Sequence, residues 1–369
     1  MQIPFFTNKY QDQRYGREIR EKIDDLIKKG IFILGNEVKE FEEKVQDFIN
    51  VKHAIGVANG SDALFLAVLV LDLPPGSEVI TTPFTFFSST SCISRNKLKP
   101  VFVDVNEDTY NIDVDKIEEK ITERTSCILP VDLFSHTPDY DKIQQLAKKY
   151  NLKIIEDSAE AFGMKWRDNF AGTLGDIGVF SFFPTKTLGC FGDGGMVTTN
   201  DDVLAEKIRT FRVHGASKKY FHKYIGINSR LDTIQAGILN VKMRFINEEI
   251  EERKRIVDRY FDKLRAIEQI KLPVVEKQAD PVWYVFTIQC ERRDELQNYL
   301  KNNGIGTFIY YPVTMHLQEC FKYLGYKKGD FPVSEGLCNK VLALPVFIGM
   351  TDEMTEYVCD KIKEFYGRK

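Results

Sequence analysis

The sequence is poor in the patterns that build cross-links, metal sites and membrane spans. Its seven cysteines are scattered, with no CxxC pair. That excludes a disulfide frame and reads as a set of reduced thiols. The five histidines are equally dispersed, so no zinc-type spacing appears and no metal site is expected. Neither sign of charge dominates: 51 Lys+Arg stand against 54 Asp+Glu, a formal net charge of −3. This balance argues against a nucleic-acid binder that works through bulk charge. The N-terminal stretch "MQIPFFTNKYQDQRYGREIR" lacks the apolar core of a signal peptide. The longest apolar run, 63–71, is far too short to cross a bilayer. A soluble, cytoplasmic chain with no membrane partner is expected.

What is present is 369 residues, 43% of them hydrophobic, enough to bury one large core and a smaller one. The first two-thirds alternates short β-branched runs with helical stretches. The predicted strands are 54–58, 78–82, 100–105, 127–131, 153–157, 177–182 and 195–199, with helices at 62–71, 114–122 and 139–149 between them. In the last of these helices Ile143, Leu146 and Ala147 fall at i, i+3 and i+4. This alternation predicts an α/β fold with a mostly parallel sheet covered on both faces. From about Leu231 the pattern becomes a long helix ending in a charge run, read as a solvated face. Beyond it lie "YVFTIQC" (284–290), a helix near 294–303, "GIGTFIYYP" (304–312) and a C-terminal helix from Asp352. The expected organisation is a large domain over 1–240 and a small α+β domain over 241–369, with a ligand cleft between them.

One stretch stands apart. "SFFPTKTLGCFGDGG" (181–195) sets a single ammonium group, Lys186, among aromatics, proline and glycines. Burial favours a neutral amine and lowers its pKa, which suits a nucleophile; a loop lysine pointing to water is the plain alternative. Three further features can be read with it. "KIIEDSAEAFG" ends a buried strand on Glu156 and Asp157, at the strand end where open α/β sheets place ligands, although Asp157 could equally cap a helix. "VANGSDALFLAV" enters a helix through Asn59, Gly60, Ser61 and Asp62, either a phosphate cradle or ordinary capping by Ser61 or Asp62. "TTPFTFFSST" supplies Phe84, Phe86 and Phe87, core residues by default, one of which could stack on a flat ring. Together these are an amine, a carboxylate for a pyridinium nitrogen, a phosphate cradle and an aromatic lid. Pyridoxal phosphate (PLP) requires those parts from its protein.

On "FILGNEVKEFE" (32–42), "NGSDAL", "TPFTF", "EDSAEAFG", "SFFPTKTLGCFGDGGMV" and "GINSRLDTIQAGIL" (226–239), the chain resembles the DegT/DnrJ/EryC1/StrS sugar aminotransferases over nearly its whole length. The resemblance implies the type I PLP-dependent transferase fold, with a large α/β domain carrying a mostly parallel seven-stranded sheet and a smaller C-terminal α+β domain. It implies Lys186 as the Schiff-base residue, Asp157 on the pyridine nitrogen, and Gly60, Ser61 and Ser181 on the phosphate. Phe86 would stack on the ring, and Asn228 would reach the phosphate of the neighbouring subunit of a homodimer. The implied reaction moves an amino group from a donor, L-glutamate, to a nucleotide-linked keto sugar. Lysine at 186, where dehydratase relatives carry histidine, favours transamination. A dehydratase, a cyclitol aminotransferase and a non-catalytic ligand-sensing regulator remain as alternatives.

The sequence departs from the family at Glu160, where glutamine usually lies near the cofactor's phenolic oxygen. An ionised carboxylate would repel that phenolate, so Glu160 is expected to be protonated or turned away when the cofactor is bound. The cationic and aromatic run 212–232 contains Arg212, His214, Lys218, Lys219, Tyr220, His222, Lys223 and Arg230. It offers partners for a pyrophosphate and for sugar hydroxyls, with a solvated basic loop as the alternative. Resemblance of this loop to members that aminate C3 points to a 3-keto sugar. Phe6 near the N-terminus, with Tyr310 and His316 from "YYPVTMHLQ" (310–318), completes the candidate sugar-facing wall.

Overall fold

The computed structural model describes residues 1–367. Its central sheet has seven strands: β1 (His53–Val57), β2 (Glu78–Thr81), β3 (Lys99–Phe102), β4 (Thr125–Ile128), β5 (Lys153–Asp157), β6 (Ile177–Ser181) and β7 (Gly195–Thr199). The spatial order is β1-β7-β6-β5-β4-β2-β3. Pairing is parallel from β3 through β6, and only β7 runs against its neighbours. Each strand overlaps its predicted run within three residues at either end. β3 and β4 stop early because their runs continue as irregular backbone toward the site.

The strands are apolar on both faces, as a doubly covered sheet requires. Alternate residues enter different cores: Val79, Cys127 and Ile155 join one, while Ile80, Ile128 and Ile154 join another. The first face is covered by α3 (Gly60–Val70), α4 (Phe87–Arg95) and α6 (Asp202–Phe211). On the second, α5 (Tyr140–Tyr150) buries Tyr140, Ile143 and Ala147. α2 (Asn36–Ile49) and α7 (Thr233–Lys242) pack with Ala54, Phe180 and Met196 of the neighbouring strands. α1 (Lys9–Lys29) lies outside α7. The predicted helix 114–122 is instead two short 3-10 turns, Val114–Lys116 and Glu118–Lys120. Its apolar positions Val114, Ile117 and Ile121 still pack on the core, so periodicity survives without an α-helix.

The long helix after Leu231 is also broken. A 3-10 turn, Met243–Phe245, separates α7 from α8 (Ile246–Leu264). The charge run on α8 is not wholly solvated, because Glu249 and Arg253 are buried. Glu249 accepts from Tyr15 Oη and Gln11 Nε2, each at 2.8 Å, and Arg253 donates to the carbonyls of Trp283, Tyr284 and Val346. The C-terminal part carries a three-stranded antiparallel sheet of β8 (Ile270–Lys271), β9 (Phe286–Cys290) and β10 (Val341–Leu344). α8, α9 (Arg293–Asn302) and α10 (Asp352–Gly367) bury their apolar faces on it. The N-terminus returns to this part, where Ile3 pairs with Ile305 and joins its core. No helix among the described residues is long and apolar enough to cross a membrane.

Candidate active site

β5 and β6 end side by side, with Asp157 opposite Val179, and their following loops carry the chemistry. Asp157 is buried; its Oδ2 accepts from Ser89 Oγ at 2.6 Å and its Oδ1 from Ala159 N at 3.3 Å. Burial pushes its carboxyl up, while those donors and the Lys186 charge pull it back. Beneath it, Asp132 takes bonds from Ser158 Oγ and Tyr140 Oη, and burial raises its carboxyl to about 7. Glu156 faces the other side, capped by the backbone N–H groups of Gly172 and Gly175.

Lys186 lies in the loop after β6, in a turn closed by Lys186 N donating to Phe183 O. Its side chain is 14% exposed, so it does not point to water. Nζ is 3.2 Å from Glu160 Oε1 and sits 4.1 Å from the centre of the Tyr284 ring. The expected lowering of the amine is not found. Burial acts to lower it, but attraction from Glu160, Tyr284 and Asp157 outweighs burial, and the net displacement is upward. Lys186 is therefore an ammonium held by a carboxylate. Glu160 is turned toward this amine, with its Oε2 on Phe134 N at 2.8 Å.

The glycine–serine helix start meets the same place. A Cβ on Gly60 would fall 2.9 Å from Ser181 Cβ, so a larger residue would fill the space between α3 and the end of β6. Neither Ser61 nor Asp62 supplies the cap of α3. The Asn59 side chain does, accepting from Asp62 N at 2.8 Å. Ser61 Oγ is instead hydrogen-bonded with Ser88 Oγ at 2.6 Å. Of the three phenylalanines, Phe84 is core, whereas Phe86 and Phe87 are exposed. Phe86, at the start of α4, lies beside Tyr311. Phe6 lines a crevice with Thr185 and Tyr284, next to Lys186. Tyr310 reaches the same cluster, where burial and the neighbouring Tyr284 and Glu160 push its phenol upward.

Other predicted residues are not brought to this cluster within the chain. Lys219, Tyr220 and His222 sit exposed on a ribbon, Ala216–Lys218 against Phe221–His222. There Lys219 lies over the Tyr220 ring, and His222 Nδ1 bonds His214 O. Asn228 is exposed and Arg230 half-buried beyond the ribbon. Arg212 is not a substrate cation. It is buried on Glu42 at 2.7 Å and on Gly56 O at 2.6 Å. His316 is 1% exposed, held by Glu335 at 3.1 Å and packed on Phe331, so it does not form an open wall. Sequence reasoning missed Tyr284, Ser89 and Ser135. Tyr284 was hidden in an apolar run that reads as strand, and the two serines reach the site only through tertiary contacts.

A buried lysine over a sheet-end acid and beside a glycine–serine helix start fits pyridoxal phosphate. Fold and site together define a PLP-dependent enzyme of the type I fold. The chain belongs to the DegT/DnrJ/EryC1/StrS aminotransferase family, whose model matches residues 13–363. It is 43% identical over 371 residues to a pleiotropic regulatory protein of Geobacillus stearothermophilus, covering 99% of each chain. It is 39% identical over 363 residues to the dTDP-3-amino-3,6-dideoxy-alpha-D-galactopyranose transaminase of Aneurinibacillus thermoaerophilus, covering 98% of this chain and 99% of that one. Its fold matches S. venezuelae DesV, solved in complex with a ketimine intermediate, with a TM-score of 0.97 and 36% identity over 100% of this chain and 99% of that one.

Proposed function

We propose that this chain aminates C3 of a nucleotide-linked keto sugar, taking the amino group from L-glutamate, as a cytoplasmic homodimer. The observation that carries the reading is the buried Lys186 ammonium between Asp157 and Glu160. PLP, when bound, supplies an electron sink for the carbon that loses or gains the amine. Asp157, at the end of β5, is the group to keep the ring nitrogen protonated. The N–H groups at the start of α3, with Ser61 and Ser181, would take the phosphate, and Phe86 is free to stack on the ring face. Lys186 Nζ moves the proton from the donor's α-carbon and, in the second half, onto the sugar carbon.

The A. thermoaerophilus relative's name supports a C3 amino sugar as product. The dimer is supported by exposed apolar side chains at Ile31, Phe32, Ile33 and Leu34, and by Ile225 at 98% exposure. In a dimer, Lys219, Tyr220, His222, Asn228 and Arg230 would serve the neighbour's site. The relative named as a regulatory protein favours a second reading, a ligand sensor on the same fold. An intact Lys186–Asp157 pair argues against it. The test supplies matched 3-keto and 4-keto nucleotide sugars with glutamate and locates the new amine by NMR. A C3 amine is expected; exclusive C4 product, or equal turnover of the free sugar, overturns the assignment. A protein whose visible band does not respond to glutamate would favour the sensor.

A further inference from the structure

Lys186 is bracketed. Glu160 Oε1 is 3.2 Å from its ammonium, and the Tyr284 ring faces it at 4.1 Å. Both partners are fixed from behind by one short turn, Leu133–Ser135. Phe134 N donates to Glu160 Oε2 at 2.8 Å. Ser135 Oγ donates to the Glu160 carbonyl at 2.8 Å and accepts from Tyr284 N at 2.9 Å. One hydroxyl thus ties together the backbones that carry the carboxylate and the ring. The turn places two successive residues in the left-handed region, Phe134 at φ 57° and Ser135 at φ 65°. Such a backbone is strained for side chains of this kind. The structure retains it where it aims an N–H and a hydroxyl at Glu160. Tyr284 is held a second time at its hydroxyl, 3.0 Å from Thr185 Oγ1, in the residue next to Lys186.

The geometry points to Glu160 as a positioning residue for Lys186 in its unattached state. With the Tyr284 ring, its carboxylate clamps the released side chain in place and stabilises the ammonium that forms when Nζ takes up the proton from the donor's α-carbon. The inference rests on Lys186 being the cofactor-bearing lysine, as proposed above. Released from a covalent bond, a lysine side chain regains its rotamer freedom. A charge-assisted bond to a largely buried carboxylate can offset that loss of place. An amide at 160 could accept from the ammonium but could not neutralise it. A carboxylate does both, which explains why the departure from glutamine is tolerated on the amine's side. The other titratable groups facing this pair are Asp157 on β5, Tyr284, and Tyr310 and Tyr311 behind Glu160. Asp157 is itself tied to the Ser89 hydroxyl, so Glu160 is the carboxylate that bonds the ammonium directly.

The test reads the amine directly. Full-length protein stripped of cofactor is treated with acetic anhydride across pH 6 to 10, and acetylation of Lys186 is followed by mass spectrometry. Glu160→Gln lowers the pH at which the amine becomes reactive. At pH 8 labelling is expected to rise roughly tenfold, the lower end of what loss of one contact charge gives. Ser135→Ala, which leaves the carboxylate but frees its anchor, gives a smaller rise and carries the test if the first variant does not fold. Folded variants with unchanged labelling profiles overturn the clamp. Borohydride reduction of the holoenzyme tests the reading beneath it, because an adduct on another lysine overturns the cofactor assignment whatever the labelling shows.

Discussion

The Ser89 hydroxyl donates to Asp157 Oδ2 at 2.6 Å, across 68 positions of chain. Thr85 Oγ1 lies 3.0 Å behind it, so the acid at the end of β5 is steadied from the start of α4. Hydrogen bonding to the charged form holds a buried carboxylate down against desolvation, which is the largest influence on Asp157. Ser89→Ala removes that donor and raises Asp157 further. A hydrogen bond to a charged group contributes about 1.5–3 kcal/mol, so cofactor affinity should fall about tenfold or more in a fluorescence titration. The low-pH limb of the holoenzyme's visible spectrum should move to higher pH. An unchanged affinity would separate Asp157 from the ring nitrogen.

Arg212 and Glu42 form a buried pair, with side chains 10% and 11% exposed. Glu42 Oε1 also accepts from Gly56 N at 2.8 Å, and Arg212 donates to Gly56 O, so the pair staples α2 to β1. Removing one partner leaves the other charged and buried, which costs about 3–5 kcal/mol. Arg212→Ala should lower the urea midpoint strongly. The double variant Arg212→Met with Glu42→Leu should recover much of the loss. A single variant of native stability would return Arg212 to the candidate substrate cations.

The contrast between Arg212 and Lys186 shows what the chain made legible. Strand runs, the strand-end Asp157 and the glycine-flanked Lys186 are local patterns, set by side-chain period and turn chemistry, and they lie where the residues imply. Charge in a linear run carries no such information. Arg212, Glu249 and Arg253 look like solvated cations and anions in sequence, yet each is buried because a partner arrives from a distant segment. His316 likewise reads as a wall residue in sequence, yet Glu335 and Phe331 enclose it. The clamp on Lys186 was equally invisible. It depends on backbone N–H groups at Phe134 and Tyr284 and one serine hydroxyl, none of which has a residue-type signature.

Burial holds the His136 imidazole down at about 4, packed edge-on against Trp283 with ring centres 5.2 Å apart. Its folded pKa lies below the unfolded value near 6.5. The unfolded chain therefore binds the proton first, and stability is lost as pH falls from about 6.5 to about 4. The contribution is on the order of 3 kcal/mol at the acid end. Glu156, raised to about 8 by burial, acts with opposite sign, losing stability as pH rises from its unfolded value. The test is therefore a difference: His136→Phe keeps the ring packed and should flatten the wild-type slope between pH 6.5 and 4 in urea titrations. Parallel slopes for the two proteins would show that His136 titrates normally.

Lys186→Ala and Asn228→Ala test the shared active site together. Lys186 is buried within its own chain, while Asn228 is exposed beyond the ribbon and meets nothing at the Lys186 cluster. If Asn228 serves the neighbouring subunit, each homodimer of either variant is damaged at both sites. A mixed dimer then concentrates both lesions in one site and leaves the other intact. With free exchange, about a quarter of all sites are restored in an equal mixture. Activity should rise above the mean of the two separate variants toward that fraction. If Asn228 acted within its own chain, every mixed site would carry one lesion and mixing would restore nothing. Subunit exchange must be shown independently, by native mass spectrometry of the mixture. Exchange without recovery places Asn228 in its own chain's site and removes the cross-subunit geometry.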